Sequence, residues 1–101
     1  MKKLALAFAL AVILAAAALA ADAPDGKALF TKCAGCHGTD GATTALGNKA
    51  LKGLSADTIA KALAGYKAKT FGGAKKGMME AQASRLSDAE IKALAAYIST
   101  L

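Results

Sequence analysis

Hydrophobic and polar positions divide the chain into two contrasting parts. The first part is apolar throughout from Leu4 to Ala20 and contains no charged residue. The second part, residues 21–101, spaces its apolar residues three and four apart, most clearly between Ile91 and Ile98, as amphipathic helices do. No stretch of this second part alternates apolar and polar residues in the manner of a strand. The pattern therefore predicts an all-α domain.

Three helices are predicted from their start signals. Asp25 can cap a first helix that reaches about Ala34. Ser55 can cap a second helix, whose apolar residues lie along one face. Ser87 and Glu90 have the spacing of a capping box, which predicts the start of the third helix.

The second part of the chain has few large apolar side chains. Apart from its alanines and cysteines, residues 21–101 contain only 17 apolar side chains. Domains this small usually need a disulfide, a metal, a cofactor or a partner to be stable. Two long loops, residues 37–54 and 67–86, are expected between the helices, and long loops in small domains are often functional. This composition excludes a multidomain protein and a large pocket enzyme.

The apolar first part has the features of a secretory signal peptide. It follows the basic residues Lys2 and Lys3 and ends in Ala18-Leu19-Ala20, a small-x-small cleavage site. We therefore expect cleavage after Ala20, with residues 1–20 as the signal peptide and residues 21–101 as a domain exported to the periplasm. The alternative is a retained anchor helix, but the run is short for a membrane span and consists mostly of alanine.

The segment Cys33-Ala34-Gly35-Cys36-His37 is the attachment signature of c-type haem. Two thiols at this spacing can reach the two vinyl-derived carbons on one edge of a porphyrin and form thioethers. The adjacent imidazole can then bind the iron. The sequence therefore predicts Cys33, Cys36 and His37 as cofactor-binding residues, with His37 as a metal ligand.

Three other uses of this motif fit the chain less well. A thioredoxin-like dithiol lies on a βαβ unit, and no strand is predicted here. A structural zinc site needs four ligands, whereas the chain has two Cys and one His. A disulfide across two residues would be strained and would leave His37 without a role.

The sixth ligand of a haem iron in this chain cannot be a second His, because His37 is the only one. A Met, a Lys, a water molecule or no ligand at all remain as alternatives. After residue 20 the only methionines are Met78 and Met79, which lie in the second predicted loop. Their position between two predicted helices favours His/Met ligation of the iron, but it does not show which of the two methionines is the ligand.

The order of these features resembles class I c-type cytochromes over residues 21–101, and most closely the small monohaem cytochromes of sulfate-reducing and related bacteria. The resemblance implies a small cytochrome c fold, in which three or more helices surround one covalently bound haem c. The stretches that carry it are Gly26-Lys27-Ala28-Leu29-Phe30, residues 33–41, Gly65-Tyr66, Phe71-Gly72-Gly73 and Leu86-Ser87-Asp88-Ala89-Glu90-Ile91.

The resemblance also selects one methionine. The family's axial Met typically lies eight residues before the Ser that caps the last helix, and this offset from Ser87 implies Met79 as the metal ligand. The chain departs from the family at two points. It has no Pro after the cysteine motif, so another carbonyl within residues 38–52 is expected to accept the hydrogen bond of His37. It also has Glu80 where many relatives place a Pro after the axial Met.

Further roles follow from the resemblance. Gly26 and Phe30 of the first helix are expected to pack against Leu94 and Tyr97 of the last. The residues expected to face the porphyrin are Leu46, Leu51, Leu54, Ile59 and Leu63. Tyr66 and Phe71 are expected either as pocket walls or as ordinary core.

The implied function is that of a periplasmic monohaem electron carrier, not an enzyme, with a haem that cycles between Fe(III) and Fe(II). The alternative is a haem sensor or peroxidase-like protein with an open sixth coordination position.

Without the signal peptide, 11 basic and 7 acidic residues remain, which favours redox partners with acidic docking surfaces. We expect a monomer with no small-molecule substrate, and no nucleic-acid motif is present. The lysines that could surround a haem edge are Lys32, Lys49, Lys52, Lys67, Lys69, Lys75 and Lys76.

Overall fold

The computed structural model describes residues 23–101. Four α-helices follow one another in this range, with a short 3₁₀ helix at Ala45–Gly47 after the first: α1 (Gly26–His37), α2 (Ala56–Ala68), α3 (Gly77–Ala83) and α4 (Asp88–Ile98). No residue of this range lies in a strand, which confirms the predicted all-α class. The predicted signal peptide, residues 1–20, lies outside the described residues.

The three predicted helix starts are confirmed by their caps. The Asp25 carboxylate accepts a hydrogen bond from the Lys27 amide at 3.0 Å, and the Ser55 hydroxyl accepts one from the Thr58 amide at 3.1 Å. Ser87 and Glu90 form a complete capping box. The Ser87 backbone amide donates to the Glu90 carboxylate at 3.0 Å, and this bond lowers the pKa of Glu90. Each cap satisfies backbone donors that a helix start leaves free.

Two boundaries differ from the prediction. α1 continues past Ala34 to His37, so the whole cysteine motif is helical, and it ends at Gly38 with a positive φ of 85°. The loop predicted over residues 67–86 contains α3. The start of α3 has no capping residue that would mark it in the sequence. Its N-cap residue is Lys76, whose side chain makes no capping hydrogen bond. Its helix-forming composition of Met, Glu, Ala and Gln is visible only once the boundaries are known.

The helices pack around α4, which contacts both α1 and α2. α3 packs against α2, and the 3₁₀ helix lies beside α1. These contacts bury a small apolar core, which consists of Phe30, Ile59, Leu63, Ala83, Ile91, Leu94, Ala95 and Ile98. Among residues 23–101, no helix combines the length and the apolar character needed to cross a membrane.

α1 and α4 approach each other most closely at Gly26. A Cβ atom at this position would overlap the carbonyl oxygen of Ala93 and lie 2.9 Å from the Cβ of Tyr97. One turn along α1, the Phe30 ring packs against the Tyr97 ring with a centroid distance of 5.6 Å. The expected packing role of Gly26 and Phe30 is therefore confirmed.

This crossing predicts that Gly26→Ala destabilises the fold. The added methyl group must push α1 away from backbone atoms of α4, which we expect to lower the free energy of unfolding by about 1–3 kcal/mol. Gly77→Ala is the matched control, because Gly77 also begins a helix and a Cβ there meets nothing within 4 Å. Denaturant unfolding of both variants measures the difference. Equal effects would contradict the steric argument.

Candidate functional site

A cavity of about 600 Å³ lies between the helices and the two long loops. This volume is within the range of about 300–1,000 Å³ that small-molecule and cofactor sites occupy. Its lining includes all five side chains expected to face a porphyrin: Leu46, Leu51, Leu54, Ile59 and Leu63. Tyr66 and Phe71 also line it, with an edge-to-face contact at a centroid distance of 5.0 Å. The lining is therefore mainly apolar.

Part of this apolar lining is strongly exposed. The side chain of Leu46 is 76% exposed and that of Phe71 is 48% exposed. Leu46 also adopts a left-handed backbone conformation with φ 62°, which a non-glycine residue rarely takes. Exposing large apolar side chains around a cavity costs free energy that a bound apolar group would recover. The lining fits a large apolar cofactor such as a porphyrin.

The cysteine motif borders this cavity from the last turn of α1. Cys33 is half-buried and lines the cavity, whereas Cys36 is exposed and does not. The two cysteines are not joined by a disulfide. Burial raises the pKa of the Cys33 thiol, the charge of Cys36 adds to the rise, and Lys32 opposes it.

His37 also lines the cavity. Burial lowers the pKa of its imidazole, which favours the neutral form that a metal requires. Its Nδ1 atom is buried without a hydrogen-bond partner, so the carbonyl acceptor expected within residues 38–52 is not seen. A buried ring nitrogen with no protein partner is unusual, so the orientation of this imidazole depends on packing in the cavity lining and not on a hydrogen bond.

Asn48 was not singled out by the sequence, yet it holds the end of α1. Its side-chain amide donates to the Cys36 carbonyl oxygen at 2.9 Å, across twelve residues of sequence. The Thr43 amide donates to the His37 carbonyl oxygen at 3.0 Å. These bonds satisfy carbonyl groups that the helix end leaves free. No local pattern marks Asn48, because its partner is distant in sequence.

The two methionines lie on different sides of α3. Met79 lines the cavity and packs against the core, whereas the side chain of Met78 is 69% exposed and lies outside the cavity lining. Consecutive helical residues point about 100° apart, since a turn takes 3.6 residues. The structure therefore brings Cys33, His37 and Met79 to one cavity and directs Met78 to solvent.

The other uses of the cysteine motif find no support in the described part of the chain. Among residues 23–101, no group of three or more His, Cys, Asp or Glu side chains is arranged to hold a metal ion. A four-ligand zinc site thus lacks its ligands. The same residues contain no strand on which a thioredoxin-like dithiol could lie.

Comparison with known proteins places these features in a family context. The family model described as cytochrome c matches residues 23–101. Cytochrome c-553 of Nitratidesulfovibrio vulgaris is 43% identical over 102 aligned positions, which cover 100% of both chains. Cytochrome c-553 of Desulfomicrobium norvegicum is 50% identical over 68 residues, or 67% of this chain and 84% of the relative. Cytochrome c-553 of Helicobacter pylori is 46% identical over 80 residues, or 78% of this chain and 80% of the relative.

Proposed function

Since the chain belongs to the cytochrome c family, we propose that it is a periplasmic carrier whose haem is held by Cys33, Cys36, His37 and Met79. Family membership makes it a monohaem electron carrier with covalently bound haem c, and not an enzyme. Such a carrier exchanges electrons with redox partner proteins. The observation that carries the proposed set of haem-binding residues is the single cavity lined by Cys33, His37 and Met79.

The proposed attachment uses both thiols of α1. The Cys33 and Cys36 thiols would add to the two vinyl groups of the haem as thioethers, and a ring nitrogen of His37 would bind the iron from the same helix. When bound, the haem iron supplies a one-electron Fe(III)/Fe(II) couple. The residues around it hold it in place and exclude water. Apolar walls such as Ile59 and Leu63 limit the solvent reorganisation that accompanies a change of charge.

Met79 supplies the proposed sixth ligand. Its thioether is soft and favours the reduced iron, so His/Met ligation raises the potential. With His37 and Met79 both bound to the iron, no position would stay open for a gas or peroxide. The rival sensor or peroxidase-like function requires an open sixth position, and the location of Met79 in the cavity lining argues against it.

Basic residues at the mouth of the cavity form a surface on which a redox partner could dock. Lys49, Lys75 and Lys76 all line the cavity, beside the exposed side chains of Leu46 and Phe71. Positive charges around an apolar area attract a partner with acidic groups around its own contact area. We propose that the monomeric protein meets such partners through this surface.

Export is proposed from the sequence alone. Residues 1–20 act as a signal peptide that is removed after Ala20, and residues 21–101 form the mature protein.

A single measurement tests cleavage and attachment together. The intact mass of protein matured with haem should equal that of the chain from Ala21 plus one haem. A mass that includes residues 1–20 would indicate a retained anchor, and labelling of free thiols would contradict thioether attachment.

The proposed axial ligand predicts opposite outcomes for the two methionines. Met79→Ala removes the thioether, so the potential should fall by on the order of a hundred millivolts or more, within the range that axial ligands control. The weak near-infrared Met-to-iron band should vanish, and carbon monoxide should bind. Redox titration and absorption spectroscopy measure these changes.

Met78→Leu is the matched control for this experiment. It conserves side-chain volume at the exposed neighbouring position, so the band and the potential should stay nearly unchanged. The reverse result would identify Met78 as the ligand. An unchanged spectrum in both variants would favour the sensor or peroxidase-like function.

The docking surface predicts a salt-dependent rate of electron transfer to an acidic redox partner. The second-order rate constant should fall as ionic strength rises, because salt screens the attraction. Lys75→Gln should lower the low-salt rate constant a few-fold, a fraction of the roughly 10–1,000-fold that whole-protein steering provides. Lys92→Gln, on α4 and outside the cavity lining, removes the same charge and should have less effect. A rate independent of salt would point to apolar docking.

A further inference from the structure

We propose that Glu80 lowers the reduction potential of the haem through its negative charge, and that Lys76 partly offsets this effect. The inference rests on the proposed function in one respect, which is that the haem occupies the cavity lined by His37 and Met79. It assigns a role to Glu80, which is one of the two points at which the chain departs from the family pattern, since many relatives have a Pro at this position.

Glu80 lies one residue after Met79 on the short helix α3. Lys76, Met79 and Glu80 are spaced three and four residues apart and so share one side of the helix. Lys76 and Met79 line the cavity, whereas Glu80 does not. Because Glu80 follows Met79 directly in the chain, its side chain leaves the helix next to a residue that borders the cofactor site.

The Glu80 carboxylate lies in a mostly buried environment. The Glu80 side chain is only 15% exposed, and its Oε2 atom is buried without a hydrogen-bond donor. The Lys76 Nζ atom lies 3.9 Å from this oxygen, which is an ion-pair distance but too long for a hydrogen bond. A buried carboxylate oxygen with no donor costs stability. Such a cost suggests a role other than holding the fold together.

A second ion pair in the protein shows the contrast. Asp57 and Lys61 on α2 also lie four residues apart, and their charged atoms are 3.0 Å from each other. Both of these side chains are 78% exposed. Water and salt screen an exposed charge strongly, so this pair has little influence over a distance. The mostly buried Glu80 carboxylate is screened far less.

The sign of the effect follows from Coulomb's law. The oxidised iron carries one more positive charge than the reduced iron, so a nearby negative charge stabilises the oxidised form and lowers the potential. A nearby positive charge has the opposite effect. Glu80 and Lys76 therefore act on the potential in opposite directions, and neither needs to contact the iron.

The experiment measures the reduction potential of haem-containing protein at neutral pH for the wild type, Glu80→Gln, Lys76→Gln and the double variant. Glu80→Gln should raise the potential and Lys76→Gln should lower it, with the double variant between them. We expect the equilibrium constant for reduction to change by up to about tenfold, which is 59 mV for one electron. The Glu80→Gln shift should persist at high salt. Asp57→Asn is the matched control and should leave the potential unchanged.

These signs separate a charge effect from a structural one. If Glu80 and Lys76 only stabilised α3, both variants would loosen Met79, weaken the near-infrared band and lower the potential together. Shifts in the same direction, or no shift in Glu80→Gln, would overturn the inference. Glu80→Asp, which keeps the charge, should restore most of the wild-type potential. Absence of the near-infrared band from the wild type would contradict Met79 ligation, while the opposite shifts would still test the role of Glu80.

Discussion

The contact on which the site depends is the crossing of α1 and α4 at Gly26. The absence of a side chain there lets α1 lie directly against the backbone of Ala93, and the Phe30–Tyr97 ring contact holds it in that position. α1 is a rigid rod of about 18 Å, at 1.5 Å per residue. Its far end carries Cys33 and His37, so a contact at the first residue of the helix sets where they meet the cavity. Asn48 and Thr43, which follow α1 in the chain, hold that far end through hydrogen bonds to the Cys36 and His37 carbonyl oxygens.

A second constraint is the small number of large apolar side chains. The buried core consists of eight residues, and exposed apolar side chains such as Leu46 surround the adjoining cavity. Ile59, Leu63, Leu94 and Ile98 belong both to this core and to the cavity lining. A haem held in this cavity, as proposed, would complete the core in addition to supplying the redox chemistry. The same burial that stabilises the fold also keeps water away from the electron-transfer site.

Features governed by neighbouring residues could be predicted from the sequence, and those governed by distant contacts could not. The caps at Asp25, Ser55 and Ser87 bond to residues within the next four positions, so each helix start could be predicted from the local sequence. The cysteine motif was recognisable because its chemistry is set by fixed spacing. Asn48 was missed, since its hydrogen bond spans twelve residues. The choice of Met79 needed a comparison with a family, because two adjacent methionines are equivalent until the helix that separates them is known.

α3 also explains why Glu80 can stand where many relatives have a Pro. The Glu80 amide donates to the Lys76 carbonyl oxygen at 2.9 Å and closes the first turn of the helix. A Pro at this position has no amide hydrogen, and it is tolerated well only at the first helical residue, which here is Gly77. In a chain with Pro at this position, the ring of the Pro makes the segment rigid. In this chain, a hydrogen-bonded helical turn does so. The turn holds Met79 toward the cavity and leaves the next side chain free to be charged, which is the arrangement that the proposed effect of Glu80 on the potential requires.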